Sequence, residues 1–145
     1  MSGHAAGCRE AIVVGYGPVG RLVVEGLEQA GYAVTILESN AKTVERQTAL
    51  GKRALHGDAR NPDDLRAAGI DTAATLVLTL PDADQALEAC RAANAIRPEV
   101  FIVARTNFVS QGLLAQQHGA DHAVVEELVT ATAMRDAVVE QLTSD

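Results

Sequence analysis

The chain has 145 residues, 48% of them hydrophobic, which is enough for one domain with a buried core. The net charge is −7 with no basic run, and aromatic residues make up only 3%, so we expect no nucleic-acid partner. No apolar stretch reaches the roughly 20 residues of a membrane span, so we expect no direct membrane insertion of this chain. The two cysteines, Cys8 and Cys90, indicate a reducing compartment rather than a disulfide framework.

Residues 1–8 lack the charged and apolar regions of a signal peptide, and we interpret them as a linker or a cloning remnant. Beyond them, short apolar runs alternate with helix-like segments. The predicted strands are 11–14, 33–38, 53–56, 75–80, 100–104 and 121–125. The predicted helices are 18–30, 41–50, 62–68, 83–96, 108–118 and 126–142. This alternation predicts a Rossmann-like, doubly wound α/β fold, with a parallel six-stranded sheet between two helical layers and a C-terminal helix.

Apolar stripes predict which helix faces are covered. In the first helix we expect a buried stripe at Leu22, Val23, Gly26, Leu27 and Ala30. The last helix has apolar residues at helical spacing: Leu128, Ala131, Met134, Val138 and Leu142. Two interpretations of this last stripe stay open, because it can pack on the chain's own sheet or dock on a second subunit. Side chains that can cap helices precede four other segments: Ser39 or Asn40, Asn61, Asp82 and Asn107.

The first strand, turn and helix form a dinucleotide-binding fingerprint, GYGPVG, in its expected context. Its first glycine permits the tight turn, its second lets backbone approach a phosphate, and its third lets the helix pack on the strand. The free N–H groups and the positive dipole at the helix start attract a phosphate. We therefore predict that the whole turn contacts a nucleotide: Gly15, Tyr16, Gly17, Pro18, Val19 and Gly20.

Glu38 ends the second predicted strand, close to the roughly 20 residues after the turn that the fingerprint requires. Its carboxylate can accept hydrogen bonds from both hydroxyls of an adenosine ribose, and it would repel the 2′-phosphate of NADP. The next two residues, Ser39 and Asn40, are included among the candidate binding residues. The alternative is a Rossmann-like layer whose turn binds nothing, with Glu38 as a solvated charge.

Further candidates close or follow other strands, and the carboxyl ends of parallel strands share one edge, where ligands bind. Asp58 can accept a hydrogen bond from an adenine amino group, with the backbone of Ala59 beside it. Thr79 and the backbone of Leu80 can contact sugar or phosphate, and the planar guanidinium of Arg105 can pair with a phosphate. The alternative for these residues is loop charge and strand-end polarity.

Four segments together resemble the TrkA-N domain, the nucleotide-binding half of RCK (KTN) domains. They are IVVGYGPVGRLVVEGLEQAGYAVTILE, HGDARNPDDLRAAGI, ATLVLTLPD and FIVARTN, and the likeness covers about residues 10–127. RCK domains regulate potassium channels, potassium uptake systems and Kef-type cation:proton antiporters. The tripeptide Gly-Asp-Ala at 57–59 separates this family from ordinary dehydrogenases, and GYGPVGR looks most like the Kef-type antiporter branch.

The resemblance implies a non-catalytic domain whose nucleotide gates a potassium or cation:proton transport system. The implied ligand is an adenine nucleotide, either AMP, ADP or ATP, or NAD(H). The resemblance also implies a homodimer that is bound to, or part of, a membrane-embedded transporter at the inner, cytoplasmic face of the cell membrane. We expect a TrkA-N nucleotide-binding domain over 9–127 and a C-terminal helix over 128–145, for which dimerisation is one of the two open interpretations.

An NAD-dependent oxidoreductase, or a fragment of one, is the alternative that the fingerprint permits. It would need a substrate pocket and an acid or base near the nicotinamide, and six predicted strands leave no residues for a second domain. We therefore expect no enzyme. The four histidines fit no zinc spacing, even with the two cysteines, so we expect no metal. Of the two ligand types that the resemblance implies, an adenine mononucleotide and NAD(H), the small size of the domain mildly favours the mononucleotide.

Overall fold

The computed structural model describes residues 9–144, so the predicted linker at 1–8 lies outside the described residues. The strands are β1 (Arg9–Val14), β2 (Tyr32–Glu38), β3 (Arg53–His56), β4 (Thr75–Leu78), β5 (Phe101–Thr106) and β6 (His122–Val125). The helices are α1 (Pro18–Gln29), α2 (Ala41–Ala49), α3 (Pro62–Ala68), α4 (Ala83–Ile96), α5 (Val109–Gln117) and α6 (Glu126–Thr143). The strands form one parallel sheet in the order β3-β2-β1-β4-β5-β6, which confirms the predicted fold.

The register of the sheet brings the ends of four strands to one edge. In the middle, Val14 of β1 lies beside Leu37 of β2 on one side and Leu78 of β4 on the other. On the outer side of β2, Glu38 pairs with His56 of β3. The order of the strands reverses beside β1, which makes this edge the switch point where ligands bind in doubly wound sheets.

Hydrophobic cores lie on both faces of the sheet. The larger core joins one face to α3, α4 and α5, and Leu65, Cys90 and Ile102 are buried in it. Burial raises the pKa of the Cys90 thiol to about 11, so this thiol stays protonated at neutral pH. The smaller core lies where α1 covers the opposite face, with Val24 and Ile36 fully buried. Right-handed crossovers explain this division of the helices between the two faces.

The predicted stripe of α1 is partly wrong. Leu22 is 70% exposed and Gly26 and Ala30 are also exposed, whereas Gly20 and Val24 are buried. The close seating of Gly20 on the turn sets the rotation of the helix, so that its residues 20, 23, 24 and 27 face the sheet.

Several boundaries also differ from the sequence prediction, and three of the differences affect candidate residues. β4 ends at Leu78, and β5 runs to Thr106, so that Arg105 lies inside the strand rather than after it. Asn107 does not cap α5, because this helix begins at Val109. The side chain of Gln111 instead accepts hydrogen bonds from the backbone N–H groups of Asn107 and Phe108, both at 3.0 Å. Asn40, Asn61 and Asp82 cap their helices as predicted.

The last helix, α6, has no buried residue. The four large apolar side chains of its predicted stripe, Leu128, Met134, Val138 and Leu142, are each more than half exposed. In the single chain, therefore, the stripe does not pack on its own sheet. Over the described range 9–144, no helix has both the length and the apolarity needed to cross a membrane.

The turn between β1 and α1 depends on two glycines. Gly15 has a φ of +94°, a left-handed conformation that other residues rarely adopt. A Cβ on Gly20 would lie 2.2 Å from the carbonyl oxygen of Gly15, so no side chain fits there. The hydroxyl of Thr79, just after β4, donates to the carbonyl oxygens of Val14 at 2.7 Å and Gly15 at 3.3 Å. The turn is thereby fixed by backbone packing on one side and by a neighbouring strand on the other.

We expect Gly20→Ala to lower the free energy of unfolding by about 2–3 kcal/mol, because the methyl group must displace backbone rather than a flexible side chain. Gly26→Ala is the matched control, since a Cβ at Gly26 meets no atom within 4 Å. It should raise the free energy of unfolding by about 0.5–1 kcal/mol, as in other helix interiors. Urea denaturation measures both values, and equal stability of the two variants would contradict the close packing of Gly20.

Candidate functional site

A cleft of about 120 Å³ opens at the carboxyl edge of the sheet. Predicted binding residues from four strand ends line it: Gly15, Glu38, Ser39, Asp58, Ala59 and Leu80. Residues that are distant in sequence therefore meet at one opening. Its walls also include Arg60 and Gln85, which the sequence analysis did not select.

The start of α1 lies beside this cleft. Its first backbone N–H groups have no hydrogen-bond acceptor within the helix. Gly17 is the N-cap residue and has no side chain to offer, Pro18 follows it, and the first turn of the helix has no acidic residue. A Cβ on Gly17 would meet no atom within 4 Å, so the space in front of the turn is open. This arrangement suits an anion, because the first N–H groups of a helix have no partner within the helix. Val19, in this first turn, is 42% exposed.

The Glu38 carboxylate connects the glycine turn to the start of α2. Its Oε1 accepts a hydrogen bond from the backbone N–H of Tyr16 at 2.9 Å, and its Oε2 accepts one from the backbone N–H of Asn40 at 2.7 Å. Each carboxylate oxygen has a second lone pair, so the group can still accept from ligand hydroxyls. Asn40 also caps α2, with its side-chain oxygen accepting from Lys42 and Thr43. The protein thus holds Glu38 in place by backbone donors.

Asp58 is held by a residue that sequence reasoning missed. The Arg60 guanidinium donates to Asp58 Oδ1 at 3.0 Å and to Oδ2 at 2.7 Å, and the backbone N–H of Arg60 adds a bond to Oδ1 at 2.8 Å. These hydrogen bonds from Arg60 hold the pKa of Asp58 below its ordinary value. The backbone N–H of Asp58 itself donates to Asp64 at 2.9 Å. The spacing of Asp58 and Arg60 fits an Asx turn, which is the only sequence signal for this pair.

Thr79 and Arg105 do not line this cleft. The Thr79 hydroxyl supports the turn, and Arg105 Nη1 donates to the Thr79 carbonyl oxygen at 3.1 Å. Arg105 Nε also pairs with the carboxylate of Glu126, at the first position of α6. This arginine and Asn107, which donates to the same carboxylate, hold the pKa of Glu126 below its ordinary value. Sequence gave no sign of the Glu126 pairing, because the two residues belong to different elements.

A larger, mostly apolar groove of about 420 Å³ lies on the sheet face that α1 only partly covers. Val23, Val77, Val103 and Val124 line it, with Thr79 and Arg105 at one end. No group of three or more His, Cys, Asp or Glu side chains in the described part of the chain is arranged to hold a metal ion.

Comparison with known proteins identifies the family of this chain. The model of the TrkA-N domain matches residues 11–126. YbaL of Escherichia coli (strain K12), named as a cation/proton antiporter, is 31% identical over 127 residues, which are 88% of this chain and 23% of YbaL. The crystal structure of the TrkA-N domain of the inner membrane protein YbaL has a TM-score of 0.85 at 30% identity, covering 90% of this chain and 96% of that one.

The Shewanella denitrificans Kef CTD in its AMP-bound form is a second structural relative, with a TM-score of 0.81 at 26% identity. The match covers 94% of this chain and 83% of the Kef CTD. The chain spans less than a quarter of the length of YbaL. The family model covers the glycine turn, Glu38 and Asp58 alike, which confirms the resemblance inferred from sequence. This chain belongs to the TrkA-N domain family.

Proposed function

We propose that this chain is a non-catalytic regulatory domain that binds an adenine nucleotide and thereby biases a membrane cation:proton transport system between states. One observation carries the proposal: Gly15 of the glycine turn, Glu38 and Asp58 line a single opening at the carboxyl edge of the sheet, and the start of α1 follows directly after that turn. These groups are a phosphate-binding helix start, an acceptor for ribose hydroxyls and an acceptor for a base amino group.

The proposed ligand lies across the edge of the sheet. Its phosphate contacts the backbone N–H groups of Gly17, Val19 and Gly20, and its ribose hydroxyls donate to Glu38. The adenine enters the cleft between Leu80 and the Asp58–Ala59 backbone, where its amino group donates to Asp58. Thr79 and Arg105 act as positioning residues, because their hydrogen bonds hold the turn and the start of α6. The AMP-bound form of the Kef CTD, a relative, supports an adenine ligand.

Regulation requires that the nucleotide bind two states of the system with different affinities, since a ligand shifts an equilibrium only by that difference. The relative YbaL, named as a cation/proton antiporter and as an inner membrane protein, supports such a partner. We accordingly assign this domain, over 9–127, to the cytoplasmic face of the cell membrane, as part of a transporter or bound to one.

We also propose that α6, with the segment 128–145, joins two copies of this chain. Its exposed residues Leu128, Met134 and Val138 have no cover in the single chain. The valine-lined groove on the partly uncovered sheet face lies beside the start of the same helix, at Glu126 and Val129. In a two-fold dimer each contact occurs twice. The apolar helix of one chain can therefore cover the apolar groove of the other, and the reverse contact is the same.

Gly17→Ala should weaken AMP binding at least about tenfold without loss of stability, because the new methyl group occupies only the open space in front of the turn. Glu38→Gln should weaken AMP by about 1.5–3 kcal/mol, the range for hydrogen bonds to a charged group. Calorimetric titration measures both affinities, and mass spectrometry of ligand released from the denatured protein identifies the natural nucleotide.

Gly26→Ala is the control for this experiment, since it adds the same methyl group to α1 away from the turn. It should bind AMP like the unaltered chain. If Gly17→Ala and Glu38→Gln both bound AMP normally, the proposed site would be wrong. If no adenine nucleotide bound the unaltered chain, the proposed function would fail with it.

Arg60→Gln should raise the pKa of Asp58 toward its ordinary value of 3.8, because the hydrogen bonds and charge that favour the carboxylate are removed. At pH values above this ordinary value, the lowered pKa of Asp58 stabilises the fold, and this contribution is lost as the pH falls through the lowered pKa. Because the variant lacks the contribution at neutral pH, its free energy of unfolding should fall less in acid than that of the unaltered chain. Carboxyl NMR titration measures the pKa, with Arg66→Gln as a control from another exposed ion pair.

The same variant tests the role of Asp58 in base recognition. Opening an exposed ion pair costs about 0–1 kcal/mol, so Arg60→Gln should bind AMP up to about fivefold more tightly. Inosine monophosphate, which lacks the amino group, should gain nothing. An equal effect on the affinities of both nucleotides would contradict the proposed hydrogen bond from the adenine amino group to Asp58.

Met134→Lys should convert a dimer to monomers in sedimentation equilibrium, because it places a charge in the middle of the apolar stripe of α6. Leu50→Lys changes a leucine at the end of α2 that is exposed even more than Met134, and it should leave the dimer intact. Dimers of undiminished stability in the Met134 variant would move the interface to another surface.

A further inference from the structure

The hydrogen bonds from Arg60 occupy the whole carboxylate of Asp58. Its Oδ1 accepts from the backbone N–H of Arg60 at 2.8 Å and from Arg60 Nε at 3.0 Å. Its Oδ2 accepts from the same Nε at 3.1 Å and from Arg60 Nη2 at 2.7 Å. A carboxylate offers about four acceptor sites, two on each oxygen. An amino group can therefore bind Asp58 only if the guanidinium of Arg60 withdraws from it.

Arg60 has a second acidic neighbour, which belongs to a different element. Its Nη1 lies 3.8 Å from Oε2 of Glu88, which is part of α4. Gln85, one helical turn before Glu88, lines the cleft that also contains Asp58. A separation of 3.8 Å allows an ion pair but is too long for a hydrogen bond. The guanidinium therefore pairs closely with one carboxylate and loosely with another.

The carboxylate of Glu88 is available to receive this guanidinium. Among the ion pairs of residues 9–144, Glu88 occurs only in the one with Arg60. The hydrogen bond and the charge of Asp58 raise the pKa of Arg60, and the charges of Glu88 and Asp82 raise it further. Asp82 is already engaged, because its side chain caps α4. Buried residues along α4 fix this helix, so Glu88 offers an acceptor on a rigid element.

We infer that Glu88 determines selectivity for a base with an amino group, because it takes over the Arg60 guanidinium when that amino group binds Asp58. This inference rests on the proposed function. It makes Glu88 a positioning residue, which acts through Arg60 without contacting the ligand. Arg60 Nη1 needs to move only about 1 Å to come within hydrogen-bond distance of Glu88. The guanidinium thereby exchanges one carboxylate for another and keeps a charged partner throughout.

This exchange distinguishes purines by the group that they carry at C6. Adenine has an amino group there, which donates to Asp58 and displaces the guanidinium. Hypoxanthine has a carbonyl oxygen at the same position, which accepts hydrogen bonds and leaves the pair of Asp58 and Arg60 closed. Removal of the charge of Glu88 should therefore weaken the binding of AMP and leave the binding of inosine monophosphate unchanged.

The test is calorimetric titration of the full 145-residue chain with AMP and inosine monophosphate at low salt. Glu88→Gln should weaken AMP about two- to fivefold, as expected for the loss of an exposed ion pair. Glu88→Asp keeps the charge and should recover part of this affinity. Glu99→Gln is the matched control, because Glu99 is also 3.8 Å from an arginine, Arg97, and does not line the cleft. It should bind AMP like the unaltered chain.

The Arg60→Gln variant shows whether Glu88 acts through Arg60. In this background Glu88→Gln should have no further effect on AMP, because there is no guanidinium left to receive. NMR gives an independent measurement. The signal of the Arg60 Nε–H group should shift when the unaltered chain is saturated with AMP, and it should stay in place with inosine monophosphate.

The inference is overturned if Glu88→Gln binds AMP as tightly as the unaltered chain, if it weakens both nucleotides alike, or if its effect persists in the Arg60→Gln background. In each of these cases the proposed function still stands on the binding of AMP. If the unaltered chain bound no AMP, the proposed function would fail, and the inference with it. Thermal melting of each variant shows that a lower affinity does not come from unfolding.

Discussion

The contact between Gly20 and the carbonyl oxygen of Gly15 determines much of this structure. A Cβ placed 2.2 Å from that oxygen cannot be accommodated, so α1 approaches β1 more closely than any other residue would allow. This approach rotates the helix so that Val24 enters the smaller core and Leu22 faces solvent. It also places the open start of α1 at the edge of the sheet, where Gly17 leaves room for a ligand. One turn thus contains Gly15 and Gly20, on which the packing depends, and Gly17, which leaves the space in front of the helix start open.

The acids of the site differ in how the protein satisfies them. Glu38 accepts two hydrogen bonds from the backbone N–H groups of Tyr16 and Asn40, so the fold itself sets the orientation of its carboxylate. Asp58 is paired with the exposed side chain of Arg60, with which the amino group of the proposed base would compete. Because exposed ion pairs contribute only about 0–1 kcal/mol, this competition adjusts affinity without preventing binding. In the proposed site, therefore, the ribose side is preorganised, and the adenine side requires the Asp58–Arg60 pair to open.

Sequence predicted the sheet, the turn and the position of Glu38 at the end of β2, because these depend on local patterns: apolar runs, glycine spacing and helix caps. It did not predict contacts between distant segments. The guanidinium of Arg105 was expected to face a ligand, but the longer β5 and the start of α6 bring it to Glu126. Likewise, no sequence motif links Arg21 and Arg46. They line one cleft, between α1 and α2, only because the two helices pack side by side. The rotation of α1 could not be predicted either, since it follows from a backbone contact.

A continuous series of contacts joins the turn to the last helix. The Thr79 hydroxyl holds the carbonyl oxygens of Val14 and Gly15, the Thr79 carbonyl accepts from Arg105, and Arg105 pairs with Glu126 at the start of α6. Physical continuity alone is not coupling, because each site must favour one of two arrangements of the same element. The series of contacts ends at α6, which has no buried side chain to fix its position within the single chain. A nucleotide that moved the turn against Thr79 would therefore act on the least constrained helix of the fold.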